Sequence, residues 1–140
     1  LVTEKYLSIA QEFLIGFNRE CFTEMKNIEE HSLDMAKRHI CNGTLYFLED
    51  KTGKIVSMAA NVRESQNAAT ISLVYTPFCF REKGFGSLVT ALVSETMLDK
   101  GKNFCNLFTD LSNSTSNSIY QKIGYEMIGE SKHYKFIRPE

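Results

Sequence analysis

The sequence has no tryptophan, only two prolines and no surplus of charge of either sign. With two prolines there is no proline-rich linker. Sixteen Lys and Arg stand against 17 Asp and Glu, for a net charge of −1. That balance gives neither the basic footprint of a nucleic-acid binder nor a polybasic membrane patch, so nucleic acid and membrane are excluded as partners. No run reaches the ~18 apolar residues that a membrane span needs. No signal-peptide pattern is visible at the start, and a cytoplasmic chain is expected. Among Cys21, Cys41, Cys79 and Cys105 no pair reads C-x-x-C, which speaks against a zinc ribbon or a dithiol redox motif. Cys41 and Cys105 sit in largely apolar runs, so free buried thiols are expected. No metal site is expected either, because His31, His39 and His133 are scattered. His31 and His39 are assigned to the solvated face of a charged helix.

Several catalytic signatures are missing too. There is no G-x-x-x-x-G-K-[S/T] phosphate loop, no G-x-G-x-x-G, no G-x-S-x-G elbow and no H-E-x-x-H. What is present is an ordinary globular composition, 43% hydrophobic and 24% charged. A chain of 140 residues reads as a single domain, 1–140. At this length roughly 68% of the unfolded surface can be buried without a metal or disulfide staple. The chain starts at Leu1 rather than Met, which fits a processed chain or the C-terminal domain of a longer protein.

Apolar periodicity predicts an amphipathic helix over 4–18, with Tyr6, Leu7, Ala10, Phe13, Leu14 and Phe17 inward. A second helix is predicted over Ile28–Ile40, with Leu33, Met35, Ala36 and Ile40 inward, stopped by Asn42-Gly43. Three β-rich runs follow at 44–49, 54–62 and 69–76, separated by short polar turns, which predicts an antiparallel meander. A loop over Pro77–Gly86 leads to a helix over Ser87–Lys100. Leu88, Val89, Leu92, Val93, Met97 and Leu98 cover nearly half of it, so it should lie buried on the sheet. A strand over 103–109, a short helix from Asn113 to about Lys122 closed by Gly124, and an extended 125–137 complete the chain. The order is ααβββαβαβ. A helix between the third and fourth strands requires a crossover, so the fold class is α/β (α+β): a mostly antiparallel sheet with one parallel pair, flanked by helices.

Chemistry concentrates in two places. The first is Arg81-Glu82-Lys83-Gly84-Phe85-Gly86-Ser87, between a strand and a helix. Its glycines allow close backbone approach and positive φ. The helix that follows lacks a side-chain cap in Gly84, Phe85 or Gly86, so its first N–H groups are orphans at the positive end of a dipole. A phosphate or pyrophosphate satisfies both, and Arg81 and Lys83 add charge. The bland alternative is a plain strand–helix turn with a solvated basic pair. The second place is Asn113 to Tyr125, with Tyr120 on the short helix. A tyrosine of pKa ~10 is protonated at pH 7 and can donate a hydrogen bond or a proton. Alone, Tyr120 reads as a core aromatic between Ile119 and Ile123.

Together these segments resemble the GNAT superfamily of acetyl-CoA-dependent N-acyltransferases, over about residues 44–137 in order of elements. Arg81–Gly86 is similar to its Q/R-x-x-G-x-G/A cofactor loop. Asn113, Ser116, Tyr120, Gly124 and Tyr125 are similar to its N-x-x-A-x-x-x-Y-x-x-x-G-[F/Y] pattern. The segments VYTP, LFTDLSN and IYQKIGY resemble a bacterial branch of that superfamily.

The resemblance implies an acetyl group moved from acetyl-CoA, as cosubstrate, to a primary amine by direct attack, with a small-molecule acceptor favoured. Backbone amides of Glu82, Lys83, Gly84, Phe85, Gly86 and Ser87, with Arg81 beside them, would hold the pyrophosphate of coenzyme A. Val74, Tyr75 and Thr76 would offer strand backbone to the pantetheine arm. Asn113 would hydrogen-bond that arm or the following helix, and Ser116 and Asn117 next to it would belong to the cofactor-binding set. Tyr120 would stand beside the thioester sulfur as the acid. Four departures from the family pattern are visible: Glu82 stands where Gly is common, Ser116 replaces Ala, Pro77-Phe78-Cys79-Phe80 is more apolar than usual before the loop, and no Glu or His lies on Thr70–Thr76 to act as base. A water chain, or a residue such as Glu64 or Tyr6, would have to take the amine's proton, or the acceptor would have to be a weakly basic amine. The rival readings are a non-catalytic acyl-CoA-binding module of a larger protein and a general phosphate-binding α/β domain. The extended C-terminal stretch could pair with a second copy, giving a homodimer.

Overall fold

The computed structural model describes residues 1–21, 26–108 and 120–126. A 3-10 turn at Glu4–Tyr6 leads into α1, Leu7–Cys21, followed by α2, Ile28–Asn42. Three strands come next: β1, Leu45–Glu49; β2, Ile55–Glu64; and β3, Ala68–Tyr75. After a 3-10 turn at Phe78–Phe80 come α3, Phe85–Asp99, and β4, Phe104–Asn106. The order expected from the sequence holds from α1 through β4. The end of the short fourth helix is seen at Tyr120–Lys122, with Gly124 at φ +109° just after it. The strand expected over 125–137 lies outside the described residues beyond Glu126.

The sheet runs β1-β2-β3-β4. β1 pairs with β2 and β2 with β3, both antiparallel; β4 joins β3 in parallel. The crossover through α3 forces that parallel pair. Residues 56 to 61 of β2 are all buried, because the strand is covered on both faces. On one face, α1 and α2 set Ala10, Phe13, Leu14 and Ala36 against Leu45, Met58, Ala60 and Leu73. On the other, α3 sets Val89, Val93 and Met97 against Ala59, Ala69 and Ile71. Alternation along β2 assigns Met58 and Ala60 to one layer and Ala59 to the other. Asn18 Nδ2 donates to Ser32 Oγ at 3.0 Å, a buried polar link between α1 and α2.

Three expectations need correction. α3 does not bury its whole apolar half. Val89, Val93 and Met97 form the ridge that meets the sheet, whereas Leu88, Leu92 and Leu98 are 44–46% exposed. Leu88 and Leu92 belong to a parallel ridge one residue earlier, turned by about 100°, so they face away. Cys41 is not buried: it lies near the C-terminus of α2, exposed, as are Cys21 and Cys79, and Cys105 is half-buried. His39 is not on a solvated face. It is half-buried, with Nδ1 2.7 Å from Thr44 Oγ1. Burial, then the charge of Arg38, lowers its pKa below the usual histidine value.

Candidate cofactor site at the mouth of the sheet

The site starts with a defect in β3. Met58 pairs with Tyr75 and Ala60 with Ser72, so three steps along β3 oppose two along β2. The extra residue sits at Leu73–Val74, and Leu73 adopts φ +55°. A leucine in the left-handed region is strained by about 1–3 kcal/mol and persists only where its surroundings enforce it. Leu73 is 7% exposed and packed in the α1/α2 layer, which supplies that enforcement. Among the described residues β4 pairs with Ala68–Thr70 of β3 and stops at Asn106, short of the bulge. Among the described residues, no strand pairs with Ile71–Tyr75 on the β4 side.

The end of β3 is pinned. Ser57 Oγ donates to Tyr75 O at 3.1 Å and lies 2.9 Å from Thr76 Oγ1. Tyr75 packs edge-on to Phe13, with ring centroids 5.8 Å apart. It also lies over Gly16, where a Cβ would come within 2.3 Å of the Tyr75 hydroxyl oxygen. Burial, then the charge of Glu20, raises the Tyr75 phenol above the usual tyrosine value.

The loop then turns back onto the strand. Glu82 takes φ +65° and Gly84 takes φ +80°. Gly84 occupies the N-cap position of α3 and gives no side-chain hydrogen bond. The first bond closing the helix runs from Leu88 N to Gly84 O at 3.0 Å. The amides of Phe85, Gly86 and Ser87 therefore have no intrahelical acceptor, and the positive end of the α3 dipole is open. A Cβ at Gly86 would stand 3.6 Å from Thr76 Oγ1 and 3.9 Å from Val74 Cγ1. The first turn of α3 is thus brought against Val74 and Thr76. The candidates from Val74 to Ser87 form one continuous mouth at the C-terminal end of β3.

Arg81 is in that mouth but is engaged elsewhere. Its Nε donates to Thr76 O at 2.8 Å, and its guanidinium forms an ion pair with Glu20 at the end of α1. Sequence reasoning missed Glu20, which lies 61 residues away and carries no motif. Lys83 and Glu82 are exposed.

Tyr120 is placed through its neighbour. Tyr125 Oη lies 2.5 Å from Ser94 Oγ on α3, and the Tyr120 and Tyr125 rings stand 6.3 Å apart at 67°. Cys105 of β4 reaches the same point, its Sγ donating to Ser94 O at 3.5 Å. Burial raises the Tyr120 phenol above the usual value. Asn113, Ser116 and Asn117 lie outside the described residues. Of the two candidate bases, Glu64 is engaged away from the mouth, accepting from Asn61 Nδ2 at 2.6 Å at the far end of β2. The Tyr6 ring packs edge-on to Phe47, with centroids 6.0 Å apart.

A family model described as FR47-like protein matches residues 49–136, most of the chain. The chain belongs to the FR47-like family. No curated protein sequence matches it. Solved structures similar to this FR47-like chain are acetyltransferases of the GNAT type. AAC(6')-Iy, in complex with the bisubstrate analog CoA-S-monomethyl-acetylneamine, superposes with a TM-score of 0.73 at 15% identity, over 98% of this chain and 95% of that one. The GCN5-related N-acetyltransferase from Ralstonia eutropha JMP134 gives 0.68 at 13% identity, over 95% of each chain. The ribosomal-protein-alanine N-acetyltransferase from Brucella melitensis gives 0.72 at 17%, over 91% of this chain and 83% of that one. At such identities the likeness establishes the fold. The GNAT-type α/β architecture expected from the sequence is the one observed in this FR47-like chain. Among the described residues no three metal-ligating side chains come together, and no helix is long and apolar enough to cross a membrane.

Proposed function

We propose that this FR47-like protein transfers the acetyl group of acetyl-CoA to a primary amine. One observation carries the reading: the uncapped N-terminus of α3 opens beside the bulged end of β3, which among the described residues has no strand on its β4 side. An anionic pyrophosphate fits the first feature, with Arg81 and Lys83 nearby and the amides of Phe85, Gly86 and Ser87 lacking intrahelical acceptors. An extended amide-bearing arm fits the second, where Val74, Tyr75 and Thr76 present strand backbone. Coenzyme A carries both groups in one molecule.

In the reaction, the amine nitrogen attacks the acetyl carbonyl, the new C–N bond forms and the C–S bond breaks. The amine gives up a proton and the departing thiolate takes one. A backbone N–H at the bulge, near Val74 or Tyr75, polarises the carbonyl as charge builds on its oxygen. Tyr120 is assigned to the sulfur. A free thiol has pKa ~8.5 and a free tyrosine ~10, so full transfer is already uphill by about 2 kcal/mol. Burial of Tyr120 makes it steeper. Tyr120 therefore acts as a hydrogen-bond donor to sulfur, with the proton supplied as the amine loses its own. Asn113, Ser116 and Asn117 are assigned to the pantetheine arm.

A second reading has its own support. Thr70–Thr76 carries no Glu or His, and Glu64 is engaged with Asn61 at the far end of β2. That leaves a non-catalytic acyl-CoA-binding module as the alternative. Calorimetric titration with acetyl-CoA, with ATP as control, tests the common part. Micromolar binding of acetyl-CoA alone supports both readings, and thiol release with an amine panel then separates them. Equal binding of ATP, or none of either, overturns both.

A further inference from the structure

The strangest side chain in the mouth is Arg81, which spends its charge on its own protein. Its guanidinium carbon lies 5.7 Å from the Tyr75 ring centroid and 5.9 Å from that of Phe78. Its other partners are the Glu20 carboxylate and, through Nε, the carbonyl oxygen of Thr76. Two aromatic faces within about 6 Å and a carboxylate are the elements by which a cation is recognised. Three features show a built constellation rather than a chance contact. Gly16 leaves the space that Tyr75 needs, since a Cβ there would meet its hydroxyl at 2.3 Å. Ser57 fixes the Tyr75 backbone from behind. Phe78 is 85% exposed, an aromatic ring held in water beside the guanidinium. The internal cation is also exchangeable: the Arg81 and Glu20 side chains are 36% and 52% exposed, and ion pairs this open to water are weak.

We propose that Tyr75, Phe78 and Glu20 form the recognition cage for a cationic group of the acceptor, filled by Arg81 until the pyrophosphate of bound coenzyme A draws that guanidinium away. The inference rests on the acetyl-CoA reading above and names the acceptor class within it. An amine must be neutral to attack, because an ammonium has no lone pair. The charge in the cage therefore belongs to a second group. The acceptor is a primary amine that also carries an ammonium or guanidinium, such as a diamine, a polyamine or a basic amino-acid derivative.

The test uses spermidine as the cation probe and 1,4-butanediol, which carries no charge, as control, followed by calorimetry. Coenzyme A without its acetyl group keeps the complex from turning over. Saturating the protein with coenzyme A should tighten spermidine binding at least 5-fold and leave the diol unchanged. Phe78→Ala and Glu20→Gln should each weaken spermidine binding to that complex at least 5-fold. Arg81→Ala should bind spermidine without coenzyme A as well as the wild type binds it with coenzyme A. If Arg81→Ala fails to fold by circular dichroism, Arg81→Gln, which keeps a donor for Thr76 O, takes its place. Spermidine binding indifferent to coenzyme A, or unchanged in Phe78→Ala and Glu20→Gln, overturns the cage. If the wild type binds no coenzyme A, the acetyl-CoA reading fails, and the Arg81 variant still decides the cage: a folded variant that does not bind spermidine refutes it.

Discussion

Glu82 is the residue at which strain and charge can be separated. It sits at φ +65° in the loop before α3, exposed, two residues ahead of the N-cap Gly84. Holding an L-residue in that region costs roughly 1–2 kcal/mol. Glycine removes the cost but adds back about 0.5–1 kcal/mol of chain entropy in the unfolded state. Glu82→Gly should therefore stabilise the fold by about 0.5–1 kcal/mol, which for a chain of this size raises Tm by roughly 2–4 °C. Glu82→Gln keeps the backbone strain and removes the charge, so its Tm should stay within about 1 °C of wild type, as expected of an exposed substitution. For acetyl-CoA the two variants should behave alike. Each loses a negative charge facing phosphates, worth about 0.5–1 kcal/mol at the surface, so each should lower Kd roughly 2–5-fold by calorimetry at low salt. The gain should fade as salt is raised past physiological strength. A Glu82→Gly protein that melts below wild type would refute the strain argument. Tighter binding in the glycine variant but not in the glutamine variant would refute the charge argument and assign the effect to loop freedom.

Other outcomes follow from the same geometry. Gly16→Ala should displace Tyr75 and destabilise the protein by about 1–3 kcal/mol, the usual range for overpacking, read from chemical denaturation. Adding Tyr75→Phe, which removes the oxygen nearest the new methyl group, should recover part of that loss. Tyr120→Phe should lower kcat roughly 10²–10⁴-fold in a thiol-release assay, with the Kd of acetyl-CoA unchanged; an unaltered kcat removes Tyr120 from the chemistry. Because burial raises the Tyr120 phenol, no loss of kcat attributable to it should appear below pH ~10. His39 has a folded-state pKa below its unfolded value, so folding favours its neutral form. Its contribution is complete above pH ~6.5 and is lost as pH falls through the lower folded-state value. The Tm of wild type should fall more steeply than that of His39→Gln between pH 6.5 and 5, and parallel curves would contradict this.

The elements were legible wherever local chemistry dictated them. Asn42-Gly43 ends α2 with Gly43 at φ +68°, and the Asp50–Gly53 turn closes between β1 and β2 with Asp50 Oδ1 accepting from the amides of Thr52 and Lys54. The missing cap of α3 was readable too, because Gly84, Phe85 and Gly86 offer no side-chain acceptor. The bulge at Leu73 was not, since leucine has no preference for positive φ and the conformation is imposed by packing from α1 and β2. Glu20 was hidden by distance along the chain. The exposure of Leu88 and Leu92 was hidden because two ridges of one helix look alike in sequence and only the sheet chooses between them. Tyr120 was legible as a candidate, but its surroundings, Tyr125 and Ser94, come from an element pairing that sequence does not show.

Among the described residues, the three-residue seam between β3 and β4 is much shorter than the other strand pairings. β1 to β3 with α1 and α2 are joined by long antiparallel ladders, bulged but extensive, and β4 is fastened to them by a short parallel pairing and by α3. A ligand laid along Ile71–Tyr75 would serve as the missing length of strand and lengthen that fastening. Cofactor occupancy and mechanical cohesion of the sheet then become a single quantity, with ligand at 100 times its Kd adding about 2.7 kcal/mol of stability. The slow-exchanging amides of the empty protein should end near the bulge, and in the loaded protein protection should run on to the last residue of β3.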